Sequence, residues 1–176
     1  MYEPKEIDLG FIIITPENNP RHVEITVSSL SAKYNGRPYV TVVTDSILDQ
    51  TMAEMSRVGK IFSAKSTYSS LLSTGMKNAP AEWNMIVISG TQLRNRVHRK
   101  YSCFIESPKD ILYPIVDRKM NFVDGSVNGI VVHKDAYADL GDMPESQNLN
   151  ECKAAWGHLA VSKGYRFKGV VGAALC

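Results

Sequence analysis

Long apolar runs are missing from this chain. None approaches the roughly 20 residues that a helix needs to cross a bilayer, and the longest, such as Phe11–Ile14 and Gly129–Val132, have the length of a strand. Met1–Glu6 has no basic stretch leading into an apolar one, so it does not read as a secretory signal. Cysteine is scarce: Cys103, Cys152 and Cys176 form no CxxC pair, which excludes a disulfide framework and a zinc knuckle. Cys176 is the last residue and so cannot head a prenylation box. There is no Asn-x-Ser/Thr sequon, and the expectation is a cytoplasmic protein with reduced thiols. Charge of one sign is also lacking, because the net charge is +2 and the pI of about 8.4 falls short of a typical nucleic-acid module.

Several motifs are absent too. Without GxGxxG or GxxxxGK[ST], a standard dinucleotide fold or P-loop NTPase is disfavoured. Without GxSxG, Ser/His/Asp catalysis has no anchor. His22, His98, His133 and His158 are dispersed, so a histidine-built metal site is not expected.

What is present is a globular composition, 176 residues with 44% hydrophobic, enough for one domain with a core of its own. Phe11–Thr15 is short, β-branched and continuous, the mark of a strand buried on both faces. Asn19 and Pro20 then suit the cap and first turn of a helix reaching about Lys33, with Val23, Val27 and Leu30 inward. Tyr39–Thr44 is a second strand, Leu48, Met52 and Met55 mark a second helix, and Val58–Ser63 a short third strand. Ser66–Lys77 is a third helix with Tyr68, Leu71 and Leu72 inward, and Trp83–Ser89 a fourth strand. This β-α alternation implies a parallel sheet with helices on both faces. The second half reads as a polar, basic segment Gln92–Lys100, strands at Ile111–Val116 and Val127–His133, and a helix at Lys134–Leu140. A polar loop follows, then a helix at Glu151–Lys163 with Trp156 packed on Leu159 and Ala160, and a last strand at Phe167–Val171.

In such a sheet, ligands bind beyond the carboxyl ends of the strands. Those ends are Thr15-Pro16-Glu17-Asn18, Thr44-Asp45-Ser46 and Ser89-Gly90-Thr91. The first loop ends at a helix N-terminus, where an anion is favoured, or it is merely a capped turn. Asp45 could accept from a ribose hydroxyl or a base N–H, or only cap the next helix. Arg94, Arg96, Arg99 and Lys100 make the sharpest charge cluster, a phosphate clamp, a nucleic-acid patch or a solvated loop. Asp124 in a turn and Glu151 at a helix start are candidate general bases, although Asn148 and Glu151 also fit a capping box.

The order of these elements resembles the nucleotide-sugar glycosyltransferases of the GT-A fold, of the family 2 type. The stretches that carry the resemblance are Phe11–Pro16 through Val27–Leu30, Tyr39–Asp45, Gly125–Gly141, and Glu151 through Gly164-Tyr165-Arg166. It implies a three-layer α/β/α fold with a mixed, mostly parallel sheet. It also implies one domain over 1–176, with a nucleotide-binding, Rossmann-like half at about 9–91 and an acceptor-side half at 92–176. The expected partners are a UDP- or GDP-linked sugar and a hydroxyl acceptor; no membrane span and no nucleic acid are expected. By resemblance, Thr15, Pro16, Glu17, Asn18, Arg21, Asp45, Ser89, Gly90, Thr91, Arg94 and Arg96 would bind the nucleotide sugar, and Glu151 or Asp124 would serve catalysis. The family places a D-x-D at the end of its fourth strand to hold a divalent ion, whereas this chain has Ser89-Gly90-Thr91. Mn or Mg therefore stays open as a cofactor, and Arg94, Arg96, Arg99 or Lys100 is the expected replacement for it. The alternatives are a catalytically silent GT-A-like domain that binds a nucleotide or a protein, and a nucleic-acid-associated protein.

Overall fold

The run Leu9–Ile14 (β1) is buried at every position because both faces of its sheet are covered. Phe11 and Ile13 point into one hydrophobic cluster and Ile12 and Ile14 into another. This computed structural model describes residues 7–33, 39–56, 59–93, 97–115, 128–145 and 149–171.

On one face lie α1 (Pro20–Lys33), α2 (Ile47–Met55) and α4 (Val97–Ser102). On the other lie α3 (Tyr68–Lys77), α5 (Lys134–Leu140) and α6 (Leu149–Ser162). Between them, β2 (Val40–Thr44), β3 (Lys60–Ser63), β4 (Trp83–Ile88), β5 (Asp110–Ile115), β6 (Val131–His133) and β7 (Arg166–Val171) join β1 in the order β3-β2-β1-β4-β6-β5-β7. The first four strands are parallel, β6 runs antiparallel to both neighbours, and β7 is parallel to β5. The architecture is thus the three-layer α/β/α fold with a mixed, mostly parallel sheet that the resemblance implies.

Local signals explain most boundaries. The Asn19 side chain accepts from the Arg21 N–H at 3.1 Å and opens α1 ahead of Pro20. Ser46 caps α2 and Thr67 caps α3. The α3 helix packs tightly against β1, and a Cβ on Gly75 would meet Ile12 Cγ2 at 2.4 Å, so only glycine fits there.

The helix marked by Leu48, Met52 and Met55 is α2, although Leu48 and Met55 are 67% and 73% exposed and the residues that α2 buries are Asp49 and Ala53. The structure corrects two expectations. Trp156 and Ala160 are buried, but Leu159 is 41% exposed on the outer side of α6. The strand expected over Val127–His133 is β6, which begins at Val131, because Asn128 and Gly129, with Gly129 at φ +86°, form a turn ahead of it.

Candidate functional site at the carboxyl rim

The connection from β1 to β2 runs over the face of α1, and the one from β3 to β4 runs over the face of α3. The chain therefore departs in opposite senses between β1 and β4, and the crevice beyond a switch of this kind is the usual ligand site of open α/β sheets. Because β2, β1 and β4 are parallel neighbours, the loops after all three lie on one rim. The three sequence-derived clusters Thr15–Asn18, Asp45 and Ser89–Thr91 are thus brought together.

Asn18 sits at φ +38° and donates from Nδ2 to Ser66 Oγ at 3.5 Å, while Ser66 Oγ donates to Asp45 Oδ2 at 3.2 Å. Ser66, expected as the first residue of the third helix, lies in the loop just before the Thr67 cap of α3, and the sequence reading did not single it out as a site residue. Its hydroxyl bridges the β1 and β2 loops. Pro16 is half-buried, and Glu17 and Arg21 are exposed; Glu17 lies 3.7 Å from His22 Nδ1 on the first turn of α1.

At the end of β4, the Gly90 N–H is shared between Thr26 Oγ1 at 2.9 Å and the His22 carbonyl at 3.0 Å. Gly90 adopts φ +96°, the left-handed region that favours glycine, and a Cβ there would press on the His22 ring at 3.3 Å. Asn128 clamps this end from the other side: it accepts the Ile88 N–H at 2.9 Å and donates to Thr91 Oγ1 at 2.7 Å. Hydroxyls and a glycine are a poor donor set for Mn or Mg, which take carboxylate oxygens. Among the described residues no group of three or more His, Cys, Asp or Glu could hold an ion. The residues present at the end of β4 do not fit the metal of a D-x-D site.

Beneath the rim, Thr15 is fully buried and donates to the Val43 carbonyl at 3.3 Å. Asp49 is fully buried beside it. Thr44 Oγ1 donates to Asp49 Oδ2 at 3.2 Å, whereas Oδ1 has no hydrogen-bond partner among the described residues. Burial raises the Asp49 carboxyl above the usual range, against the opposing pull of the Thr44 and Thr15 hydroxyls and of His22. The buried Ser89 Oγ is likewise unpartnered among the described residues. By strand alternation, Thr15, Thr44 and Ser89 all point to the face of α1 and α2. Asp49 was legible as the third residue of a capping box opened by Ser46, whose Oγ accepts the Asp49 N–H at 3.3 Å.

Glu151 is exposed in the first turn of α6. The start of α6 is tied toward this rim through Cys152 Sγ on the Pro144 carbonyl at 2.9 Å and Ser69 Oγ, at the start of α3, on the Met143 carbonyl at 2.6 Å. Lys153, fully buried on α6, was not anticipated. Asp124, Arg94 and Arg96 lie outside the described residues. Arg99 and Lys100 are exposed on α4.

No family model and no curated protein matches the chain. Solved structures do. A mannosyltransferase from Pyrobaculum calidifontis, in complex with GDP-Man and Mn2+, superposes with a TM-score of 0.75 at 11% identity, over 97% of this chain and 58% of that one. S. aureus TarS 1-349 in complex with UDP-GlcNAc gives 0.69 at 14% identity, over 94% and 57%. The chain spans less than two thirds of either protein's length. At such identities the likeness is one of fold, GT-A-like in its layers and sheet.

Proposed function

We propose that the carboxyl rim binds a nucleoside-diphosphate sugar and passes the sugar to a hydroxyl acceptor. The observation that carries this reading is the convergence of the β1, β2 and β4 loops at the switch point, bridged by Asn18, Ser66 and Asp45. Asp45 and Ser66 would take the base or ribose. Thr15–Asn18, Arg21 and Ser89–Thr91 would flank the diphosphate. Arg94 and Arg96 would offset the charge that develops on it, with no step routed through a metal. In the reaction, Glu151 or Asp124 takes the acceptor hydroxyl proton. The acceptor oxygen bonds to the anomeric carbon as the bond from that carbon to the diphosphate oxygen breaks, and the diphosphate leaves with the electron pair. The relatives in fold with GDP-Man and UDP-GlcNAc suggest the first donors to try.

Melting with GDP-mannose and UDP-GlcNAc tests binding, since a donor at 100 times its Kd adds about 2.7 kcal/mol of stability. Asp45→Ala and Ser66→Ala should abolish the shift, and donor turnover should persist in EDTA. No shift with either sugar or with free UDP and GDP at millimolar concentration would refute the reading. A shift without turnover would favour the silent nucleotide-binding domain, to which the lack of a carboxylate at Ser89–Thr91 also points.

A further inference from the structure

The first turn of α1 stands where the chain parts between β1 and β4, and His22 belongs to it. Its imidazole packs so closely on the end of β4 that a Cβ on Gly90 would meet Cγ at 3.3 Å and Nδ1 at 3.4 Å. From the other side Glu17, on the β1 loop, reaches Nδ1 at 3.7 Å. The ring therefore spans the mouth of the crevice, with 34% of the side chain open to solvent. No acidic residue shares the first turn of α1.

Under this turn lies a polar layer. One residue past the paired Ile14, Val43 and Ile88, the sheet places Thr15 between Thr44 and Ser89, and α2 sets Asp49 against that row. Two buried oxygens of the layer, Asp49 Oδ1 and Ser89 Oγ, have no hydrogen-bond partner among the described residues. A buried carboxylate oxygen without a donor costs stability, and such groups collect where charge is put to use. Burial raises the Asp49 carboxyl, against the Thr44 and Thr15 hydroxyls and the charge of His22. The last of these pulls is mutual, since a carboxylate favoured by an imidazolium favours the imidazolium in return.

We infer that His22 is a further binding residue of the rim, donating as an imidazolium to the diphosphate of the sugar nucleotide, and that Asp49 is the positioning residue that favours this charge from below. The inference rests on the sugar-nucleotide reading and adds a proton to it. An imidazole ordinarily titrates near pH ~6.5. An anion arriving at the mouth favours the charged ring, so binding takes a proton from solvent wherever the ring was neutral beforehand. Charged groups come to the ring from Glu17 on the loop before α1, from Asp49 on α2 and from the neighbouring Arg21; the end of β4, Ser89-Gly90-Thr91, brings none. Glu17 is 73% exposed and screened by water, so the buried Asp49 acts on the ring with less screening.

Calorimetric titration of the full chain with UDP-GlcNAc and with GDP-mannose, between pH ~5.5 and pH ~8, tests this across the range in which an imidazole changes charge. The diphosphate of either donor is esterified at both ends and keeps its charge over that range, so a proton taken up belongs to the protein. The parent should bind about tenfold more weakly at the upper pH than at the lower. His22→Gln should bind weakly with no pH slope. His22→Lys, charged throughout, should bind at the upper pH as the parent does at the lower. Asp49→Asn should move the midpoint of the profile to lower pH without melting earlier, which a merely structural role would not do. A flat profile in the parent, or a slope that survives in His22→Gln, overturns the inference while the sugar-nucleotide reading stands. An unmoved midpoint in Asp49→Asn overturns the part given to Asp49. Should His22→Gln melt early, His22→Lys decides, and weak or sloped binding there overturns the inference. Absence of binding at every pH refutes the sugar-nucleotide reading and the inference with it.

Discussion

Among the described residues two aspartates are fully buried, Asp49 under the carboxyl rim and Asp110 at the amino rim, and their carboxyls are shifted in opposite directions. Both are desolvated. Asp110 receives the backbone N–H groups of Glu106 at 2.8 Å and Ser107 at 2.9 Å, the Arg166 guanidinium at 2.7 Å and Lys168 Nζ at 3.1 Å. Burial raises its carboxyl, but the Glu106 N–H, Lys168 and the Ser107 N–H outweigh it, and the net result lies below the usual range. At Asp49 burial outweighs the Thr44 and Thr15 hydroxyls and His22, and one carboxyl oxygen has no hydrogen-bond partner among the described residues. Depth alone does not set a buried carboxyl's charge; the donors around it do. The satisfied one locks β5 to β7, and the unsatisfied one sits under the rim where ligands are expected.

The sharpest test of this contrast is Asp110→Ala. It leaves the Glu106 and Ser107 N–H groups without their acceptor and takes from Arg166 and Lys168 the buried carboxylate they share, so that Glu106 is the carboxylate left to pair with them. We expect a loss of about 3 kcal/mol, and a fall in Tm of about 8 °C by calorimetry. Gly90→Ala should cost about 1–2 kcal/mol from its left-handed backbone, and it should also weaken any nucleotide-induced melting shift by displacing His22.

Acid titration separates the two carboxyls by sign. The folded value of Asp110 is depressed, so its contribution is present above the unfolded value near ~3.9 and is lost as pH falls through the folded value. The folded value of Asp49 is raised, so its contribution is present below that unfolded value and is lost as pH rises through the folded one. Asp49→Asn should therefore match or exceed the parent in Tm at neutral pH, by up to about 1 kcal/mol, and converge with it below pH ~4. A neutral-pH loss as large as that of Asp110→Ala would erase the contrast. The smallest effect is expected for Leu48→Ser, within about 0.5 kcal/mol, because that side chain faces solvent.

The alternation of strands and helices was legible because buried parallel strands leave continuous β-branched runs and caps leave Asn-Pro, Ser or Thr at helix starts. The bounds of α5 match the sequence reading, and so does the inner face of α1. The buried face of α2 was not legible, since Ile47, Leu48 and Met55 stand 78%, 67% and 73% exposed while an aspartate goes inward. Periodicity identifies a helix but does not say which stripe faces the sheet. At the rim, Thr15, Asp45 and Ser89–Thr91 were placed together from topology alone. Ser66 and Asn128 were not, because each acts across a separation in sequence, 21 residues to Asp45 and 37 to Thr91, that carries no local signal. The pairing of Asp110 with Arg166 and Lys168 was hidden for the same reason.

The placement of β1 sets how the rim behaves in time. Hydrogen-bonded along Phe11–Ile14 to β2 on one side and to β4 on the other, it cannot release its amides without parting the sheet through its middle. Those amides should be among the last to exchange with deuterium, opening only with the whole molecule. One residue further on, Pro16 and Glu17 enter a turn exposed to solvent. A slowly opening strand and a solvent-facing turn thus adjoin at Thr15, so the loop can adjust while its anchor stays still.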